Sequence, residues 1–202
     1  MNLFKLEHSR LAYLADFAWY SLTVVVLLAY LIDYSPVGQA LRMFGFVLIG
    51  LVSWTAIEYT LHRFILHGLA PFNRWHAEHH QRPTALICAP TILSASLIVI
   101  LVLLPAWLLS DIWRAIALTL GVTAGYLCYA ITHHAIHHWR TEHAWLKQRK
   151  RWHALHHHVN TPGYYGVTSG FWDYVLASKH PTQKPHQSEV KPRNQWLTKD
   201  SS

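Results

Sequence analysis

Four apolar runs dominate this chain, approximately Phe17 to Tyr34, Met43 to Leu61, Thr91 to Leu109 and Ile112 to Thr132. Each approaches the roughly 20 apolar residues that a helix needs to cross a bilayer core. A segment in hydrocarbon must satisfy its own backbone, so the runs predict an all-α integral membrane protein with about four transmembrane helices. The balance of 52% hydrophobic and 13% charged residues is too apolar for an ordinary soluble domain. The first run reads as a span and not as a cleaved signal, because Met1 to Asp16 is too long and mixed for an n-region and no A-x-A site follows. Trp19, Tyr20, Tyr30 and Tyr34 lie towards its ends, at headgroup level. Pro105 should kink or shorten the third run, and the short Ser110-Asp111 link makes the third and fourth an antiparallel hairpin. Residues 1–178 read as the membrane domain, and 179–202, polar and proline-containing, as a flexible tail.

Four crossings put both termini on one side. That side carries Lys5, Arg10, Arg63, Arg74, Arg82 and every Lys and Arg from Arg140 onward, whereas Arg42 and Arg114 are the only basic residues on the other. The positive-inside rule therefore predicts a multi-pass protein with cytosolic termini. The net charge of +7 is then a signal of orientation and headgroup contact, and a nucleic-acid partner is excluded because no recognition motif accompanies the basic residues. Cys88 and Cys128 form no CxxC pair and read as small buried apolar residues.

Histidine carries the chemistry. Twelve of 17 histidines fall in four clusters, each just beyond an apolar run: HRFILH (His62, His67), HAEHH (His76, His79, His80), HHAIHH (His133, His134, His137, His138) and HALHH (His153, His156, His157). All four lie on the predicted cytosolic side and form a helical cap. Neutral imidazole binds borderline transition metals, and so many exceed the about four to six ligands that one ion takes. Two ions at a membrane surface follow. On a helix, positions three or four apart share a face, so His76, His79 and His80 can converge, as can His153, His156 and His157. In HHAIHH, His133 with His137 and His134 with His138 form two stripes rotated by about 100°, and only one can face a given centre. His62 and His67, five apart, suit a helix that ends or unwinds at Gly68. Glu58, one turn before His62, could hold a ligand's second ring nitrogen. The isolated His8, His143, His158, His180 and His186 read as surface or satisfied residues.

The order HRFILH, HAEHH, HHAIHH, HALHH, then YYGVTSGFWDYV, resembles the fatty acid hydroxylase and sterol desaturase superfamily of membrane di-metal oxygenases from about Glu58 to Leu176. The resemblance implies metal ligands at His62, His67, His76, His79, His80, His153, His156 and His157. In the third box the fatty acid 2-hydroxylase branch has a Tyr-Asp pair shortly before H-x3-H. Tyr129-Ala130 stands there, matching His133 and His137 and leaving His134 and His138 as the alternative. Two departures stand out: Ala130 replaces the acid, and Tyr164-Tyr165-Gly166 replaces an Asn-aromatic-Gly sequence.

The resemblance implies two iron ions, or zinc after purification, with dioxygen as co-substrate and hydroxylation of an unactivated C–H bond of a membrane lipid, first a fatty acyl chain. Hydroxylation or desaturation of a sterol or carotenoid is the alternative within the superfamily. A metal-binding or metal-transporting membrane protein is the alternative outside it, disfavoured because these histidines sit at span ends and not mid-membrane. No catalytic residue beyond the metal centre is assigned. Tyr126, Tyr129, Trp139, Trp152, Tyr165 and Trp172 are candidates for a pocket wall, or else for anchors and core. With no dinucleotide fingerprint or haem-attachment motif in the sequence, the electrons are expected from a separate cytochrome b5, ferredoxin or reductase docking near Lys147 to Arg151.

Overall fold

The computed structural model describes residues 7–158 and 163–178, and among these it is helical, with no strand. Lys5, His180, His186 and the predicted tail lie outside the described residues. The first helix, α1 (Arg10–Tyr34), starts at Ser9, whose side chain accepts from the Ala12 N–H at 3.2 Å. A short turn through Gly38 leads to α2 (Ala40–Thr60), which continues without a break into a π turn over Leu61–Leu66. The cap helix α3 (Phe72–Gln81) follows. The third span is α4 (Thr91–Ile98), a π segment over Val99–Leu103 and α5 (Leu104–Leu109). Pro105 lacks an N–H and its ring clashes with the preceding turn, and the wider π turn just before it absorbs that clash.

Asp111 caps the fourth span, α6 (Ile112–His138), accepting from the Trp113 and Arg114 N–H groups at 2.9 and 3.0 Å. The hairpin of the third and fourth spans is present, with the π segment and α5 packed on α6. α7 (Ala144–His158) and the single turn α8 (Phe171–Val175) complete the cap. Four stretches, Arg10–Tyr34, Ala40–Leu66, Thr91–Leu109 and Ile112–His138, are long and apolar enough to cross a membrane. Three outrun the apolar segments predicted for them, the second and fourth at their C-terminal ends. His62 and the four histidines of HHAIHH thus lie in the last turns of the spanning helices themselves, and His67 caps the end of the second.

α6 is the central helix, packed along α2 and α1. A core of Leu31, Met43, Ala117 and Leu120 joins the three, while Leu22, Val25, Ile32 and Val52 turn outward as lipid-facing side chains do. Next to that core α2 and α6 touch backbone to backbone. A Cβ on Gly121 would lie 2.1 Å from the Val47 carbonyl oxygen, and one on Gly50 would lie 2.3 Å from that of Leu118. The two helices run parallel, since Gly50 meets Leu118 and Gly121 while Trp54, further along α2, meets Gly125, further along α6, and this brings His62, His67, His133 and His137 to one end. The two cysteines are free; Cys88 is half-buried, but Cys128 is exposed on α6, in contrast to its predicted burial. We expect Gly121→Val to push α2 and α6 apart at a cost of roughly 1–3 kcal/mol or more, read as a lower midpoint in thermal unfolding of the detergent-solubilised protein. An unchanged midpoint would contradict the close approach.

Candidate metal centre

The two histidines of HRFILH are set by the π turn. The His67 N–H donates to the His62 carbonyl at 3.2 Å, an i to i+5 bond, and residues five apart then share a face. The helix ends at His67, just before Gly68, as the spacing predicts, but it widens in its last turn instead of unwinding. The two HxxHH helices also differ from expectation. Their imidazoles converge on one region but are divided between two points.

His62, His67, His76, His80 and His156 each offer one nitrogen, all within 4.8 Å of one another. His79, His133, His137 and His153 form a second such nest. α3 thus gives His76 and His80 to the first nest and His79 to the second, while α7 gives His156 to the first and His153 to the second. His157 belongs to neither set of mutually close nitrogens. Its Nε2 is 3.0 Å from that of His153 and its ring stacks on His80 with centroids 4.1 Å apart, so it stands between the nests. In HHAIHH the stripe that turns inward is His133 and His137. His134 and His138 stack on each other on the far side, where the Tyr13 hydroxyl meets His134 Nδ1 at 3.2 Å.

Two buried carboxylates hold the loop that orients these rings. Among the described residues Glu58 meets no ring nitrogen, in contrast to its predicted use. It accepts from the backbone N–H groups of Val167 and Thr168 at 2.6 and 3.0 Å and from the Thr168 hydroxyl. Asp173, fully buried, accepts from the Tyr165 and Gly166 N–H groups and the Ser178 hydroxyl, each at 2.8 Å. Gly166 is needed there, since a Cβ would lie 1.9 Å from the Ser169 carbonyl oxygen. The loop then presents two carbonyls to the first nest. That of Tyr165 takes His62 Nδ1 at 2.5 Å, and that of Gly163 takes His156 Nδ1 at 2.8 Å. A carbonyl only accepts, so both rings carry their proton on Nδ1 and turn an Nε2 lone pair inward. Tyr164 adopts a left-handed φ of 56°, a conformation that asparagine tolerates better than tyrosine, which accounts physically for the Asn expected there.

The nests have the chemistry of cation sites. His76 Nε2 lies 3.0 Å from both His62 Nε2 and His80 Nε2, and a neutral ring has one proton for at most one such contact. His67 and His156 meet through Nε2 at 3.0 Å, and His137 and His153 at 2.9 Å. Neither ring nitrogen of buried His79 has a hydrogen-bond partner among the described residues. Lone pairs converging without protons to share are what a metal ion resolves, and these residues fit one in each nest. Burial holds His79 and His80 down at about 4 and His156 at about 3, and it keeps His153 well below its ordinary value. The rings are therefore neutral, ligand-ready imidazoles at physiological pH.

Around the nests, Tyr129 stacks on His133 with centroids 5.8 Å apart, and Tyr165 lies edge-on to His62, His67 and His156. Tyr126 packs on Trp54 at 5.4 Å. The other wall candidates are placed elsewhere: Trp139 is exposed, Trp172 donates to the Thr55 hydroxyl at 3.0 Å, and Trp152 lies under the Arg149 guanidinium at 4.2 Å. Sequence reasoning missed Asp173 and Arg149 as interior groups. Arg149 is 6% exposed, its basicity lowered by burial and supported by Asp173 and Glu58, so it is not part of the exposed basic face. Of the isolated histidines, His143 and His158 are exposed as predicted and His8 is half-buried.

The fold and the twin nests define a helical membrane protein equipped to bind metal. The sequence pattern of the fatty acid hydroxylase family matches residues 47–178, and the chain belongs to that family. It is 32% identical over 154 residues to the ceramide very long chain fatty acid hydroxylase scs7 of Schizosaccharomyces pombe, covering 67% of this chain and 42% of that protein. It is 33% identical over 147 residues to the dihydroceramide fatty acyl 2-hydroxylase FAH2 of Arabidopsis thaliana, covering 65% of this chain and 59% of that protein. The structure of full-length scs7p, of which only the hydroxylase domain is visible, superposes with a TM-score of 0.73 at 25% identity, over 89% of this chain and 70% of that one. The chain spans about half the length of the curated relatives it matches.

Asp173→Ala strands three buried donors and should cost roughly 3 kcal/mol or more, with loss of bound metal as the Tyr165 carbonyl drifts from His62. Thermal unfolding and metal analysis check this, and retention of both would refute the loop's role. Acid should also weaken the metal-free cap. Unfolded histidines titrate near 6.5, above the folded values of about 4 at His79 and His80, so the unfolded chain binds more protons in that interval and stability falls as pH falls through it. Chelator-treated protein should then unfold at a lower temperature at about pH 5 than at about pH 7.5. A higher midpoint in acid would reverse the sign.

Proposed function

We propose that this chain is a membrane-bound, dioxygen-dependent diiron hydroxylase that acts on a fatty acyl chain of a lipid. The observation that carries the reading is the pair of neutral imidazole nests at the ends of helices apolar enough to span a bilayer. His62, His67, His76, His80 and His156 would hold one ion, and His79, His133, His137 and His153, with His157 beside them, the other. Bound and reduced, such a pair of ions supplies activation of dioxygen sufficient to replace an unactivated C–H hydrogen by hydroxyl. An all-imidazole set suits iron, and zinc competes for the same nitrogens after overexpression.

The protein's own contribution is placement. The carbonyls of Tyr165 and Gly163 fix the tautomers of His62 and His156, so their lone pairs need no reorientation. Tyr129, Tyr126 and Trp54 wall the bundle side of the second nest, where an acyl chain arriving from the membrane would lie against rings and away from water. The relatives are named for fatty acyl and ceramide substrates, which favours an acyl chain over a sterol or carotenoid. Histidines gathered at one end of the spans, and not along them, disfavour ion transport.

The charge distribution supports a multi-pass topology with the histidine cap on the cytosolic side. Electrons would come from a separate donor, a cytochrome b5, ferredoxin or reductase. Lys147 and Arg151 are exposed on α7 and Lys150 half-exposed beside them, a basic face suited to an acidic carrier.

His79→Ala and His156→Ala should each abolish lipid hydroxylation, followed as a mass gain of one oxygen in lipid profiles, while the protein stays in the membrane. His134→Ala and His138→Ala should keep most of the activity. Metal analysis of active wild-type protein should return close to two ions per chain. One ion, or full activity in the first two variants, would overturn the dinuclear assignment.

A further inference from the structure

The buried face of α1 is polar where a spanning helix is expected to be apolar. Tyr13, Asp16 and Tyr20, at i, i+3 and i+7, share one face and are 9%, 7% and 2% exposed, while Leu11, Leu14, Trp19 and Leu22 point outward. Asp16 sits six residues into the helix, about 9 Å from its start. An ionisable side chain inside a span is costly, and function is its usual justification. Its Oδ1 accepts from the Thr91 hydroxyl at 2.6 Å, and the Tyr20 hydroxyl meets that of Ser94 at 2.7 Å. Among the described residues no Lys or Arg pairs with Asp16; His8 acts on it electrostatically.

The stripe is continuous with the candidate metal centre. The Tyr20 ring lies 4.5 Å from Tyr126, Tyr126 lies 6.2 Å from Tyr129, and Tyr129 stacks on His133 of the second nest at 5.8 Å. A strut joining α1 to α4 needs no charge, because an asparagine would accept the Thr91 hydrogen bond equally well. A carboxylate with several lone-pair positions and, among the described residues, a single hydrogen bond retains capacity for a donor brought by a ligand. It also repels an anion. α1 lies before the stretch that the family pattern matches.

We propose that Asp16, with Tyr20, Thr91 and Ser94 around it, is the polar recognition site for the lipid substrate: it takes a neutral hydrogen-bond-donating group, an amide N–H or a hydroxyl, and rejects a free carboxylate. The proposal rests on the hydroxylase reading above and deepens it. The substrate is an acyl chain already joined to a donor-bearing head, held by that head at the α1 end of the aromatic wall. The chain segment beside the head then passes Tyr126 and Tyr129 towards His133.

Equilibrium binding tests this with the metal-loaded full chain in nanodiscs. Two fluorescent lipids share one acyl chain: an N-acyl amide bearing a hydroxyl, and the free fatty acid. Wild-type protein should bind the amide about tenfold or more tightly than the acid, the scale of one hydrogen bond to a charged group. Asp16→Asn keeps the size and the Thr91 contact, so it should retain its unfolding midpoint, lose about tenfold on the amide and nothing on the acid. Tyr20→Phe should weaken the amide selectively to a smaller degree. Equal binding of the two lipids by wild type overturns the proposal whether or not the variants fold. So does an Asp16→Asn variant that keeps the preference or weakens both lipids alike. Preferential binding by a wild type that adds oxygen to neither lipid overturns the hydroxylase reading alone.

Discussion

Everything at the cap depends on the contact between α2 and α6, where Gly50 and Gly121 let two backbones meet. Helices in hydrocarbon gain little from burying apolar side chains against each other, so close packing at small residues is what fixes their register. Here that register decides which turns of α2 and α6 stand level at the histidine end. The π turn of the first and the unbroken α geometry of the second then present His62 with His67, and His133 with His137, towards one volume. A site built on the last turns of packed helices inherits their rigidity.

The loop at residues 163–170 completes what the helices begin, and it does so with charge. Glu58 and Asp173 contact none of the nest nitrogens, yet between them they receive four backbone N–H groups and two hydroxyls. Such buried carboxylates are tolerable because every hydrogen bond strengthens in the low-dielectric interior, and Arg149 supplies a buried positive charge nearby. The order of cause runs from carboxylate to loop, from loop carbonyl to imidazole tautomer, and from tautomer to lone pair.

How much of this the sequence discloses depends on the range of the interaction. The spans and the helical spacing of the boxes are local, and they were legible in apolar length and in separations of three and four residues. The choice of His133 with His137 followed from Tyr129 only by resemblance; geometrically it rests on how α6 is rotated against α2 and α3. The division of each HxxHH between two nests was not legible, because spacing says which residues share a face but not what that face meets. Glu58 was visible as a buried acid in an apolar run, yet its partners lie more than a hundred residues away. Asp173 was hidden in an aromatic segment, FWD, that reads equally well as an interfacial anchor. The five-residue spacing in HRFILH carried its own signal, since only a widened turn puts both rings on one face without breaking the helix.

The way α3 and α7 deal out their histidines has a consequence for assembly. Each helix contributes to both nests in opposite proportion, two rings to one and one to the other for α3, and the reverse for α7 once His157 is counted beside His153. The two sites are therefore dovetailed, like boards cut to share one joint. Neither nest is complete while either cap helix is out of place, and an ion held by one would draw both helices into the position that the other requires. On the dinuclear reading proposed above, half-loaded protein would then be a poor resting state, and the centre would be taken up or given up as a unit.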